Sequence, residues 1–476
     1  MRRIAILASL CLLTIWSCGG DGSGSQSEGS SNLDASLPLS FTKVSNSGLD
    51  FVNEIKETAE FNHFIWDAIY NGGGVGIGDI NNDGLPDVYL GANYGKDKLF
   101  INKGNLKFEE ITDKANINAT TAISSGINMI DINRDGLTDI YVSKYGYSQN
   151  PNDRLNELYI NNGDLTFTES AKQYGVANSG YTTQSTFLDY DKDGDLDLYV
   201  MNQPSNARKI RQTYFKKGAK DSDFLDDNTS DCLYKNNGNN TFTNVSTEMG
   251  IRNFSYGLGV VASDINNDGW TDVFIANDYD KPDLLYLNQR GKGFKESAQE
   301  SFDHISNFSM GTDVEDINND GLPDIGVLDM AGATHYRSKT NMPSMSPETF
   351  WSNVNKGYHH QYMHNTLQLN QGNAQFVEIA NLSGIAKTDW SWSLLINDFD
   401  NDSHEDIYVT NGIKRDIRNN DYIENTKQTI INTGTITDVK ALVESIPSNP
   451  LPNYLFMNDG HLHFEDKAKE VGLGSP

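Results

Sequence analysis

Cysteine is scarce, with Cys11, Cys18 and Cys232 the only three thiols in 476 residues. A disulfide framework is therefore excluded as the source of stability, which must come from burial and bound metal. Basic charge is short as well: 37 Lys and Arg stand against 65 Asp and Glu, a net charge of −28. Such an acid excess argues against nucleic acid or an anionic membrane surface as a generic partner. The apolar run from Ile4 to Ile15 is too short to span a bilayer. Catalytic signatures are missing too: there is no G-x-S-x-G, no Walker loop, no G-x-G-x-x-G opening a helix and no H-E-x-x-H.

What is present is a nine-residue acidic loop that recurs six times. It reads D-I-N-N-D-G-L-P-D from Asp79, D-I-N-R-D-G-L-T-D from Asp131, D-Y-D-K-D-G-D-L-D from Asp189, D-I-N-N-D-G-W-T-D from Asp264, D-I-N-N-D-G-L-P-D from Asp316 and D-F-D-N-D-S-H-E-D from Asp398. Oxygen side chains at positions 1, 3, 5 and 9 can converge on one hard cation, and glycine at position 6 permits the turn around it. The spacing predicts calcium held by Asp79, Asn81, Asp83 and Asp87; by Asp131, Asn133, Asp135 and Asp139; by Asp189, Asp191, Asp193 and Asp197; by Asp264, Asn266, Asp268 and Asp272; by Asp316, Asn318, Asp320 and Asp324; and by Asp398, Asp400, Asp402 and Asp406. Position 12, where an EF-hand closes with glutamate, holds Leu90, Val142, Val200, Ile275, Val327 and Val409, so these are not EF-hands. β-Branched and aromatic residues follow each loop, which therefore joins strand to strand.

A second marker runs in phase: L-F-I-N-K-G from Leu99, L-Y-I-N-N-G from Leu158, L-Y-K-N-N-G from Leu233, L-Y-L-N-Q-R from Leu285, L-Q-L-N-Q-G from Leu367 and L-F-M-N-D-G from Leu455. Each is a strand entering a turn, and aromatic-headed strands follow at Phe108, Phe167, Phe242, Phe294, Phe376 and Phe464. With a small-residue strand before each acidic loop, the unit has four strands. Repeat starts lie 52, 58, 75, 52 and 82 residues apart, at or above the spacing of propeller blades. The expectation is an all-β propeller of six, alternatively seven, four-stranded blades; a linear β-roll has far shorter repeats. Phe41-Thr-Lys-Val resembles a fourth strand standing alone before the first repeat.

The loops resemble those of the FG-GAP and VCBS repeat family, the calcium-bearing propeller type of the integrin α chains, over roughly 41–472. N-M-P-S-M at Asn341, H-H-Q-Y-M at His359, N-T-L-Q-L-N at Asn365, T-D-W-S-W at Thr388 and N-G-I-K-R-D at Asn411 resemble the VCBS-repeat lipoproteins of Bacteroidota related to cartilage acidic protein and UnbV proteins. Members of that group usually continue into further repeats and an UnbV-like domain, neither of which is read here. The resemblance implies secretion, calcium and surface interaction, and no reaction.

The N-terminus fits an export signal. Arg2 and Arg3 precede the apolar run, and Ile-Trp-Ser-Cys ends at Cys18, resembling a lipoprotein signal over residues 1–17 with lipidation at Cys18. Loss of Arg2 and Arg3 would take the charge from −28 to −30. A Gly/Ser-rich tether over 18–36 leads into a propeller over 37–476. The expected location is the outer membrane, on its periplasmic or cell-surface side, through the lipid alone.

Three long loops between second and third strands, 202–231, 329–364 and 411–453, should emerge opposite the acidic loops. They carry Arg208 and Arg211, Trp351 and Tyr358, and Arg415, a set suited to an anionic carbohydrate, since rings stack on sugar faces and Arg forks onto carboxylates. The competing reading is a local aromatic core with bases neutralising nearby acids. His360 and His364 would share a helix face as a zinc pair if that segment were helical, and Trp390 and Trp392 should line core or channel. The sequence favours a non-catalytic, calcium-stabilised binding or adhesion module for a carbohydrate or surface protein. The alternatives are a calcium-dependent polysaccharide lyase and a structural subunit of a surface complex.

Overall fold

The computed structural model describes residues 39–58, 61–120, 122–146, 150–204, 228–279, 281–341, 345–433 and 438–475. Cys18, Arg208 and Arg211 lie outside them. Six four-stranded antiparallel sheets follow one another along the chain as the blades of a β-propeller. Blade one comprises Val75–Gly78, Asp87–Leu90, Lys98–Asn102 and Phe108–Glu110. Blade six comprises Ser391–Asn397, Asp406–Asn411, Tyr454–Asn458 and Phe464–Asp466. In every blade the acidic loop joins the first strand to the second, and the aromatic named from sequence heads the fourth.

Each blade is too thin to bury its own faces, so the cores lie between blades. Tyr89 and Leu99 of blade one pack with Ile140 and Phe167 of blade two, and comparable clusters join blades two and three, three and four, four and five, and five and six. Glycine is needed where first strands approach closely: a Cβ on Gly76 would sit 2.5 Å from Ile127 of the next blade.

Helix enters mainly through the inserted loops. The fifth-blade insertion forms His335–Thr340 and Pro347–Val354, and the sixth forms Asn420–Thr433 and Val439–Glu444. No helix of the described residues is long and apolar enough to cross a membrane. His360 and His364 do not share a helix, because the short strand Gln361–Tyr362 pairs there with Ile305–Ser306. The aromatic residues around Gln361, Tyr358 and Tyr362, suit a strand, and the i, i+4 spacing has no helix to act on.

Candidate functional site

The acidic loops are built by their own backbone. The carboxylate at position 1 accepts from the N–H of position 6 in all six loops, at 2.6–3.1 Å. That N–H is delivered by two consecutive left-handed features. Position 4 stands at φ +56° to +62° (Asn82, Arg134, Lys192, Asn267, Asn319, Asn401), and position 6 is left-handed in each loop, including Ser403 at +73°.

Position 9 closes the loop. Its Oδ2 accepts from the position-2 N–H at 3.0–3.2 Å. Its Oδ1 accepts from the N–H of the third-strand asparagine at 2.7–2.9 Å. Burial pushes Asp139, Asp197, Asp272 and Asp324 up to about 7 and Asp406 up to about 6, against the pull of these N–H donors. Ionising them in a metal-free loop is unfavourable, and a divalent cation would reverse the balance.

The donor set fits one hard cation per loop. Carboxylate oxygens of Asp189, Asp191 and Asp197, and those of Asp398, Asp400 and Asp406, lie within 4.8 Å of one another. In the other four loops position 3 is asparagine, an oxygen donor of the same reach. Asp189 Oδ1 is buried and has no hydrogen-bond partner among the described residues, an oxygen that a cation would satisfy. The third loop differs in one respect that sequence reasoning missed: Lys235 of the third strand places its ammonium on Asp191 and at 3.1 Å from Asp193.

Neighbouring loops are tied together. Asn82 donates to Gly136 O at 2.9 Å, Arg134 to Gly194 O and to Asp195 at 2.7 Å, and Asn319 to Ser403 O at 2.7 Å. The third-strand asparagines do the same from beneath. Asn161, Asn288, Asn370 and Asn458 donate to the position-2 carbonyls Ile80, Tyr190, Ile265 and Ile317 of the preceding blade, at 2.8–3.2 Å. The sequence marks these asparagines as turn residues; their inter-blade role depends on a partner 81–141 residues away.

The second feature is an axial pocket on the opposite face, about 240 Å³ in volume, to which blades two to six and the segment 63–71 contribute. Tyr145, Trp390, Trp392 and His63 line it, with Arg418. Trp392 Nε1 donates to Gly412 O at 2.6 Å, whereas the buried Trp390 Nε1 has no acceptor among the described residues. Arg418 makes no ion pair or hydrogen bond among the described residues.

The other residues expected on this face are placed differently. Arg415 Nε lies 3.0 Å from Glu57, which Lys414 also approaches at 3.3 Å, so the Arg415 charge is spent on a structural carboxylate. Arg337 bridges Asp389 at 2.7 Å and Asp416 at 3.0 Å. Trp351 packs edge-on to Phe350, and Tyr358 faces Lys281; neither lines the axial pocket. His364 instead joins His304 and Glu378, ligand atoms within 4.8 Å, while the buried His359 is engaged with Phe302 O at 2.9 Å.

Comparison with known proteins agrees with this geometry. The family model described as FG-GAP-like repeat matches residues 79–142, 146–200 and 264–327, each match beginning at position 1 of an acidic loop or at the close of a second strand. Cartilage acidic protein 1 of Xenopus tropicalis is 31% identical over 147 residues, 30% of this chain and 22% of that protein. The Mus musculus protein of the same name is 24% identical over 244 residues, 48% of this chain and 35% of that protein. The chain thus spans 22–35% of the length of these relatives. Among solved structures, an Agrocybe aegerita lectin described as recognising non-reducing terminal N-acetylglucosamine aligns over 82% of this chain and 77% of that one. Its TM-score is 0.42 and its identity 15%, too low to carry an argument. The repeated loops, the six blades and the matched segments identify FG-GAP-like repeats within this chain.

Proposed function

We propose that the protein is a non-catalytic binding propeller, braced by calcium in its acidic loops and taking an acidic carbohydrate at the axial pocket of the opposite face. Calcium would supply the positive charge that lets the position-1, -3, -5 and -9 oxygens of each loop sit together ionised. The residues of the chain do the rest: position-9 carboxylates hold second and third strands in register, and the position-4 side chains couple one loop to the next.

The observation that carries the binding reading is the axial pocket itself. Among the described residues Trp390 offers a buried ring N–H without an acceptor and Arg418 a guanidinium without an ion pair, in a lining that also holds the indoles of Trp66 and Trp392 and the phenols of Tyr70, Tyr145 and Tyr279. Aromatic faces stack on the apolar faces of sugars, and a guanidinium pairs with a carboxylate or sulfate. Lipidation at Cys18 would hold this module outside the cytoplasm on a flexible tether.

The test is a glycan array with neutral and acidic members, followed by titration with tryptophan fluorescence as the readout. Binding of uronate or sulfated glycans that weakens with added salt, and that Trp392→Ala with Arg418→Ala reduces at least about tenfold, is expected. An array without binders, or a double variant that binds as the parent does, overturns the reading.

A further inference from the structure

Imidazole and carboxylate converge at one place outside the acidic loops. Ligand atoms of His304, His364 and Glu378 lie within 4.8 Å of one another, and among the described residues no other such group contains a histidine. The three come from separate segments. His304 belongs to the connection that follows Ala298–Ser301, His364 to the end of the fifth-blade insertion, and Glu378 to the last position of the fourth strand Phe376–Glu378. The parallel pairing of Ile305–Ser306 with Gln361–Tyr362 brings the first two segments together. None of the three residues lines the axial pocket.

The carboxylate divides its oxygens between two tasks. Glu378 Oε1 accepts from Ala380 N–H at 2.6 Å and from Leu367 N–H at 3.3 Å. Glu169 and Glu296 make the same two bonds in blades two and four, so this oxygen serves the fold of the repeat. Of these three glutamates only Glu378 brings its second oxygen to a histidine, with Oε2 at 3.4 Å from His304 Nε2. That separation is long beside a charge-assisted hydrogen bond, about 2.7–2.9 Å. It matches the distance between two ligands of a tetrahedral zinc, about 3.3 Å for metal–ligand bonds of about 2.0–2.1 Å.

His364 is prepared in the same sense. Its Nδ1 lies 2.6 Å from Asn365 O, and a carbonyl only accepts, so Nδ1 carries the proton and Nε2 keeps the lone pair. A backbone carbonyl on one ring nitrogen is the support that metal-bound histidines use. Tyr362 stacks on His364 at 6.2 Å and meets His304 edge-on at 5.1 Å. Gln368 Nε2 donates to His304 O at 2.8 Å. Rings held by such neighbours are oriented before any metal arrives.

We propose that His304, His364 and Glu378 hold one borderline divalent metal of the zinc class, with water in the fourth position. Two imidazole nitrogens and one carboxylate suit zinc, whereas calcium takes six to eight oxygens. His304 and His364 are partly exposed, so the fourth position opens to solvent. The metal pins the end of the fifth-blade insertion to the fourth strand of blade five and to the connection from blade four, on the face opposite the acidic loops. This site and the calcium loops differ in donor chemistry and in position, so either stands if the other fails.

The test uses the full chain in saturating calcium, so that the acidic loops are filled, with zinc chloride as the probe. Calorimetric titration should show zinc uptake, and His304→Gln with His364→Gln should remove one equivalent of it. Glu378→Gln, whose amide oxygen can still accept from Ala380 and Leu367, should weaken that equivalent by about tenfold or more. Labelling of the unaltered protein with diethyl pyrocarbonate makes the result independent of how the variants fold: zinc should shield His304 and His364 and leave the exposed His335 reactive. Absence of zinc uptake, uptake unchanged in the double variant, or equal labelling of His304 and His364 with and without zinc overturns the proposal. Shielding confined to His461 and His463 would also overturn it, placing the metal on blade six.

Discussion

Replacing Ser403 by glycine should stabilise the protein. Ser403 stands at φ +73°, where the other five loops have glycines at +82° to +89°. A side-chain-bearing residue in this region costs about 1–2 kcal/mol, and glycine returns that strain while adding about 0.4–1 kcal/mol of freedom to the unfolded chain. Nothing else is lost, because among the described residues the serine hydroxyl makes no hydrogen bond. The bonds from Ser403 N–H to Asp398 at 2.9 Å and from Asn319 to Ser403 O at 2.7 Å are made by the backbone of residue 403. The net gain is about 0.5–1 kcal/mol, on the order of 1–3 °C in melting temperature for a chain of this size. Gly321→Ser is the reciprocal change: φ is +86° and a Cβ there meets nothing within 4 Å, so only the strain enters and the shift has the opposite sign. Calorimetry of both variants at fixed calcium measures the pair. Destabilisation by Ser403→Gly, or an unchanged Gly321→Ser, would refute the argument that left-handed backbone selects the residue at position 6.

Lys144 is fully buried, 3.1 Å from Glu157 and 3.4 Å from Asp97, so Lys144→Met should cost about 3–5 kcal/mol in urea denaturation by leaving buried carboxylates unpaired; a cost under about 1 kcal/mol would show that they are not. Asn370→Ala removes the donor to Ile265 O in the preceding blade and to Pro323 O in its own, and should cost about 1–3 kcal/mol. Asn102→Ala, whose amide reaches only Pro86 O in its own blade, should cost less, and equal losses would deny the inter-blade role. Burial pushes Asp283 up to about 7 from an unfolded value of 3.8. The native state then binds the proton more tightly, so this group's contribution is fully present below about pH 4 and is lost as pH rises toward 7. Asp283→Asn should flatten the fall of stability between those pH values at constant calcium; an unchanged slope assigns the titration elsewhere.

Much of the fold was legible because repetition exposes it. Six acidic loops in phase with six L-x-x-N markers and six phenylalanines place the strands of every blade, whereas the fourth strand expected at Phe41 is not formed. Arg415 was read as a ligand-facing base, but its partner Glu57 lies 358 residues earlier, and charge composition does not reveal such pairing. Lys144 looks like an ordinary strand residue of I-Y-V-S-K-Y; only the convergence of Asp97 and Glu157 accounts for its burial. The axial pocket is assembled from seven residues of the segment 63–71, five of blade six and one to three from each of blades two to five, so no single stretch of sequence announces it. The helical pairing considered for His360 and His364 does not form, because i, i+4 spacing has meaning only on a helix and a short strand lies between them.

Calcium dependence of the melting temperature tests the central claim most directly. Protein stripped with chelator and returned to a series of free calcium concentrations should melt progressively higher as calcium rises, because a cation bound by the native loops and not by the unfolded chain stabilises in proportion to the logarithm of its concentration. Isothermal titration should show uptake at several loops, with the Lys235-paired third loop the outlier. Identical melting curves in excess chelator and in millimolar calcium, with no heat of binding, would contradict the account.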